Sequence, residues 1–199
     1  MARKSGSNGE KTAKQLREAA TVLFAKNGYA AVSMRQIARE VGVQAGALYL
    51  YTADKQSLLF DLLDQHMQDL LQAWDVRATP HAVTPMDRLE CFVRFHIRFH
   101  LLRTDEVFIS YMELRNLTPE NFEVIQTARR AYEGILHDIL SAGQAEGTFN
   151  VSDTKVATYA IIAMLIGMNT WYRDEGRLSI DMVEEIYLDL VMSAAGAKR

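Results

Sequence analysis

The sequence predicts an all-α protein, and three observations carry that expectation. Apolar residues recur at spacings of three and four through almost the whole chain, the period of a helix with one buried face. No convincing run of two-residue alternation interrupts them. Caps and stops punctuate the pattern: Ser, Thr or Asp precede the apolar runs, twice with Pro directly behind, and Gly28, Gly42 and Gly147 follow them. With 199 residues, 49% of them hydrophobic and 24% charged, the chain can bury a sizeable core and lacks a disordered composition.

Nine helices follow, expected over 12–27, 34–41, 45–51, 55–77, 86–103, 105–115, 119–146, 153–174 and 180–195. Thr12 with Gln15, and Ser33 with Gln36, fit the capping box, in which hydroxyl and amide side chains satisfy each other's backbone N–H. Asp54 caps the helix that begins at Lys55. "TPMD" (84–87) and "TPEN" (118–121) each put Pro at the first helical position behind a Thr cap. Ser152 and Ser179 open the last two helices. "TFNVSD" (148–153) is the one stretch that reads as extended, and "RATPHAVTP" (77–85) is the expected long connection.

Charge divides the chain unevenly. Residues 1–60 hold nine Lys or Arg against four acids, a balance of 9 − 4 = +5, whereas the whole chain carries −3, leaving −8 for residues 61–199. A basic head on an acidic body suggests two jobs, with any polyanion meeting the head. Cys91 stands alone, which excludes an internal disulfide and a cysteine-cluster zinc site. The longest apolar candidate, "ATYAIIAMLIGMNTW" (157–171), is too short for a membrane span and carries Thr and Asn, so it reads as a buried or interface helix. "MARKSGSNGEK" has no apolar core of a secretory signal. The expectation is a cytoplasmic protein.

In "SMRQIAREVGVQAGALYLY" (33–51), Met34, Ile37, Ala38 and Val41 make one helical face. Gly42 breaks that helix, Val43 plugs the corner, and a second short helix carries Ala47 and Leu48 inward. Two short helices joined through a Gly turn form the helix-turn-helix pattern, which any small helical corner can also mimic. The preceding helix, with Leu16, Ala19, Ala20, Leu23 and Phe24 at core spacing, is its platform.

These residues resemble a known family. The stretch 19–59 is similar to the DNA-binding head of TetR-family bacterial repressors, through Leu23-Phe24, Gly28-Tyr29, Ser33, Ile37-Ala38, Gly42-Val43, Gly46, Leu48-Tyr49, Lys55 and Leu58. The resemblance implies a dimer whose three-helix head (1–54, with its N-terminal arm) grips duplex DNA and whose six-helix body (55–199) binds a ligand and dimerises. It implies a repressor with no cofactor.

The candidate DNA contacts are Ser33, Arg35, Gln44, Ala45, Gly46, Ala47, Tyr49, Leu50, Tyr51 and Lys55. Hydroxyls, amides and helix starts bind phosphates as cations do, so an uncharged recognition segment can sit on DNA. Gln44 and the amides after it offer donors, and Gly46 and Ala47 let the backbone approach the groove. Tyr49 and Tyr51 donate hydroxyls, although Tyr49 also reads as a structural ring with a wet tip. Lys55 reaches the same strand, while Lys11, Lys14, Arg17, Arg35, Arg39 and the Arg3-Lys4 arm supply attraction. The sequence departs from the family's frequent pattern at Gln44, Ala45, Leu50, Thr52 and Ala53, which removes cations and leaves base contacts unassigned.

From 55 onward the chain has more apolar faces than the head can cover, enough to enclose an effector pocket or simply to pack a core. The candidate ligand residues are Phe92, His96, His100, Tyr111, Met164, Asn169, Trp171 and Arg173. His96 and His100 share a helical face as a metal pair would, yet "HIRFH" lacks the Glu of a zinc hydrolase and no third ligand is near, which favours pocket or core over metal. "GMNTWYRDEGRLSIDMVEEIYLDL" (167–190) and "ELRNLTPENFEVI" (113–125) resemble TetR-type regulators of fatty-acid and steroid breakdown, which implies an acyl-coenzyme A effector. In that case Trp171 stacks a purine and Arg173 or Arg177 meets phosphates; otherwise Trp171 packs at a dimer interface. The last two helices carry Ile161, Ile162, Leu165, Met168, Val183, Ile186, Tyr187 and Leu190, a face broad enough to pair with a second copy. A helical protein-interaction module with a degenerate head is the rival reading. An enzyme built on His96 and His100 lacks a nucleophile, a phosphate loop and a metal set.

Overall fold

The computed structural model describes residues 6–77 and 83–197, with side chains from residue 9. Among the described residues, ten α-helices and one 3-10 turn account for the regular structure, with no strand. The helices are α1 (Gly6–Asn27), α2 (Met34–Val41), α3 (Ala45–Leu48), α4 (Lys55–Arg77), α5 (Pro85–Leu101), α6 (Thr104–Met112), α7 (Pro119–Ala145), α8 (Thr154–Ile166), α9 (Met168–Trp171) and α10 (Ile180–Ala194), with the 3-10 turn at Leu114–Asn116.

Most caps act as the residues dictate. Ser33 and Gln36 form the reciprocal box, Gln36 N–H donating to Ser33 Oγ at 3.3 Å and Ser33 N–H to Gln36 Oε1 at 2.7 Å. Thr84 does the same with Asp87, behind Pro85 at the first helical position. Asp54 Oδ1 accepts from Ser57 N–H at 2.7 Å, and Ser179 Oγ from Met182 N–H at 3.3 Å. Gly42 sits at φ 76°, where a Cβ clashes with the backbone, and its amide closes α2 onto Ala38 and Arg39.

Besides shifts of one to three residues at the ends of α5, α6, α7 and α10, four departures from the sequence expectation stand out. α1 already runs at Gly6, so Thr12 lies inside a helix rather than at its start. α3 stops after a single turn, at Leu48 rather than 51, and Tyr51 and Thr52 N–H fold back onto the Leu48 carbonyl. Asp153, not Ser152, caps α8, because its carboxylate reaches both Lys155 and Val156 N–H at 2.9 Å. The single helix expected over 153–174 breaks at Gly167. There Asn169 Nδ2 donates to the Ile166 carbonyl and Thr170 Oγ1 to the Gly167 carbonyl, and such side-chain bonds compete with the helical ladder.

The contacts divide the chain into two compact units, and the division falls inside α4 after Met67 and inside α7 after Gln126. The first unit joins residues up to Met67 with Asp105–Gln126. Its core holds Leu16, Phe24, Ile37, Leu48, Leu59, Leu63, Ile109 and Ile125, all nearly or fully buried. The second unit takes Gln68–Thr104 and the chain from Thr127 onward. Within it α5 is the central helix, packed by α8, α9 and α10, with Phe92, Val93 and Ile97 buried along its length.

Candidate functional site

In the first unit, α1 and α2 pack together and α3 packs on α2. Leu48 is fully buried and pins the short α3, so the residues just past it are thrown outward: Tyr49 is 57% exposed and Leu50 81%. Gln44 is exposed at the start of α3, and its side chain caps nothing. Gly46 is exposed with open space around it, and a Cβ there meets no atom within 4 Å. Ser33, Arg35 and Arg39 are exposed; Ala45, Ala47 and Tyr51 are half-buried. Lys11, Lys14 and Arg17 are exposed on α1, with Lys14 in an open ion pair to Glu18 at 3.7 Å. Arg3 and Lys4 lie outside the described residues.

Lys55 is engaged within the first unit. Its ammonium donates to the carbonyls of Tyr29 at 2.9 Å and Val32 at 2.8 Å, and sits 4.1 Å from the Tyr29 ring centroid. Two hydrogen bonds and a cation–π contact make it a strut between α4 and the α1–α2 turn. The sequence also missed Glu113, a carboxylate only 5% exposed that accepts from Tyr29 N–H at 3.1 Å. Nothing in the local spacing marks it as buried.

In the second unit, Phe92, His96 and His100 come together with Tyr132. The two imidazoles stack at 3.9 Å between centroids and 14° between planes. His96 Nδ1 lies 3.0 Å from the Tyr132 hydroxyl, and His100 Nδ1 donates to the His96 carbonyl at 2.8 Å. His96 is fully buried, and burial, followed by the neighbouring His100, pushes its pKa well below the usual histidine value, so it is neutral. Its Nε2 is buried without a hydrogen-bond partner. Among the described residues no group of three His, Cys, Asp or Glu is placed to hold a metal ion.

The other expected ligand residues lie elsewhere. Met164 and Asn169 are half-buried. Trp171 is 47% exposed and stacks on Tyr187, its indole N–H donating to the Tyr187 hydroxyl at 3.3 Å. Arg173 is exposed and donates to its own segment, to the carbonyls of Tyr172 and Thr170. Tyr111 is exposed in the first unit.

A groove of about 1140 Å³ opens instead between α4, α5 and α10, lined by Phe95, Phe99 and the guanidiniums of Arg77, Arg94, Arg98 and Arg103. Phe92, His96 and His100 are not among its lining residues. Its acidic lining is Asp69 and Glu184, so the balance is 4 − 2 = +2. Glu184 is 1% exposed and gathers Arg94 and Arg98, the latter through Nη2 at 2.9 Å, while Glu90, Glu185 and Asp181 hold the same two arginines from the rim. The Arg103 guanidinium carbon sits over the Phe99 ring, 4.0 Å from its centroid.

Comparison with known proteins supplies the context. A signature described as bacterial regulatory proteins, tetR family, matches residues 16–62, and one described as tetracyclin repressor-like, C-terminal domain, matches residues 82–195. A fatty acid metabolism regulator protein of Bacillus subtilis is 26% identical over 183 residues, covering 90% of this chain and 93% of that protein. The HTH-type transcriptional repressor KstR2 of Rhodococcus jostii is 26% identical over 198 residues, covering 94% and 92%. The crystal structure of AibR with isovaleryl coenzyme A and operator DNA shares the fold, with a TM-score of 0.82 at 24% identity over 94% of this chain and all of that one.

Proposed function

The chain belongs to the tetR family of bacterial regulatory proteins, and from that premise we propose a transcriptional repressor that a small effector releases from its operator. The observation that carries the DNA-binding half is the exposed Tyr49-Leu50 pair just beyond the buried anchor Leu48. A capping box and a left-handed Gly42 fix α2, α2 fixes α3, and the side chains offered to a groove therefore stand on a rigid support. Exposed Arg35 and Arg39 flank them and add attraction to phosphates without reading bases. The DNA-reading part, taken as residues 1–54, works with a ligand-binding and dimerising part from 55 onward.

Two copies pair through α8 and α10 in this reading. Val156 and Tyr159 on α8 and Met182, Ile186 and Leu190 on α10 are apolar yet 44% to 63% exposed, a face that a symmetric partner covers. No helix among the described residues is long and apolar enough to cross a membrane, and a repressor of chromosomal genes works in the cytoplasm.

The effector is an acyl-coenzyme A thioester. Support comes from the fatty-acid regulator among the relatives and the isovaleryl coenzyme A bound by a protein of the same fold. The apolar helices around Phe92 and His96 suit the acyl part. Two sets of arginines suit the effector's phosphates: Arg173 beside the Trp171–Tyr187 stack, and Arg77 with Arg103 in the groove. The relatives are regulators, and catalysis has no part in this reading.

Native mass spectrometry of the purified dimer identifies any retained ligand, and gel shift with a duplex selected from random DNA tests release by it. Retention of a palindromic duplex and its release by the thioester support the proposal. A chain that holds no duplex at low salt is instead a helical interaction module with a degenerate head.

A further inference from the structure

The geometry points to Glu113, far outside the helix-turn-helix residues, as a positioning residue for operator binding. The inference rests on the DNA-binding reading and goes beyond it, because the family's N-terminal signature ends at residue 62.

A closed ring of hydrogen bonds carries the inference. Glu113 lies between α6 and the 3-10 turn, in the same compact unit as the head. Its Oε1 accepts the Tyr29 N–H at 3.1 Å, and its Oε2 accepts Asn116 Nδ2 at 2.5 Å. The Asn116 carbonyl accepts Gln56 Nε2 at 2.5 Å. Gln56 follows Lys55, whose ammonium returns to the Tyr29 carbonyl at 2.9 Å. Both backbone polar groups of Tyr29 are thus held from outside the α1–α2 turn, the N–H by a buried carboxylate and the carbonyl by an ammonium.

That turn decides where α2 begins. Gly28 precedes Tyr29 at φ 78°, and a Cβ there comes within 3.7 Å of Glu113 Oε1, so the carboxylate is fitted against a residue that can take a left-handed conformation. Val32, whose carbonyl also holds Lys55, leads directly into the Ser33 cap. An N–H to carboxylate bond in a buried setting is stronger than a neutral one, and its loss leaves the Tyr29 amide without its acceptor. The turn then samples other conformations, and α2 and α3 lose their fixed aim. Glu113 touches no DNA; it acts through Tyr29.

The test uses the full-chain dimer and a palindromic duplex that the wild-type protein selects from random DNA. Glu113→Ala is expected to weaken binding about tenfold, the equivalent of one charged hydrogen bond. Glu113→Gln keeps an oxygen for Tyr29 N–H but loses the charge and needs the Asn116 amide to flip, so it is expected to weaken binding about threefold, clearly less than Glu113→Ala. Because no cation is removed, the slope of log affinity against log salt stays that of wild type. Hydrogen exchange in the peptide containing Tyr29 accelerates more in Glu113→Ala than in Glu113→Gln.

Wild-type affinity in a folded Glu113→Ala dimer overturns the inference, as does an equal loss in Glu113→Gln. If Glu113→Ala yields no soluble dimer, Asn116→Ala decides, with about threefold weaker binding expected from a freed carboxylate and unchanged binding contradicting it. A wild-type protein that selects no duplex has a different signature and removes the DNA-binding reading as well.

Discussion

Lys55 sits over the ring of Tyr29, its Nζ 4.1 Å from the centroid, and donates to the Tyr29 carbonyl at 2.9 Å. One residue thus supplies two acceptors of different kinds to the same ammonium, and the first turn of α4 is tied to the α1–α2 turn. Lys55→Met is expected to lower unfolding free energy by about 3–4 kcal/mol, from the combined loss of two charged hydrogen bonds, to the Tyr29 and Val32 carbonyls, and a cation–π contact. Lys55→Arg does not restore it, because a planar fork cannot reach two carbonyls and a ring face from this position. Thermal unfolding at fixed protein concentration checks both; a Met variant as stable as wild type contradicts the strut.

How much of this was legible in the sequence differs by link. Caps were readable where side chain and acceptor lie within three residues, as with Ser33 and Gln36, since the chemistry is local. The family was readable from the joint spacing of 19–59. The break at Gly167 was not, because Asn169 and Thr170 turn their side chains back on the helix only in this context. The strut contacts of Lys55 and the burial of Glu113 were missed for one reason. Each side chain finds its partners tens of residues away in sequence, at separations of 26 and 84, which no periodicity encodes. The groove escaped for a similar reason: Arg94 and Arg98 share a face of α5, but only α10 and Glu184 make that face a wall.

His96 predicts a pH dependence. Its folded pKa lies well below the usual histidine value through burial and the stacked His100. The unfolded chain therefore binds a proton that the folded one refuses, and stability falls as pH drops through the ordinary histidine pKa of about 6.5. The slope reaches at most about 1.4 kcal/mol per pH unit for one group. Urea unfolding between pH 7.5 and 5.5 checks it. His96→Phe is expected to flatten this part of the curve, and an unchanged slope assigns the effect elsewhere.

Glu184 predicts a cost confined to the second unit. It is buried to 1% exposure and holds Arg94 and Arg98, whose side chains are 27% and 52% exposed. The arginine heads can rehydrate after its removal, so Glu184→Ala is expected to cost about 2 kcal/mol rather than the larger penalty of a fully buried pair. Glu184→Gln is expected to cost less. Urea midpoints at constant protein concentration decide, and a shift indistinguishable from zero contradicts the clamp.

Arg103 and Arg173 predict where effector phosphates sit. Coenzyme A titrated into the dimer by calorimetry is expected to bind about tenfold more weakly after loss of the arginine that meets its phosphates. A loss in Arg103→Ala alone assigns the groove, and a loss in Arg173→Ala alone assigns the Trp171 end. Equal binding in both variants contradicts either seat.

The central claim is that the uncharged segment beginning at Gln44 enters a DNA groove, with Tyr49 in contact. Fluorescence anisotropy of the selected palindromic duplex against wild type and Tyr49→Ala tests it most directly. Tyr49 is 57% exposed, so its truncation leaves fold and dimer nearly untouched, and affinity is expected to fall about tenfold with the dimer mass unchanged. Equal affinity of the two proteins for that duplex would contradict the account.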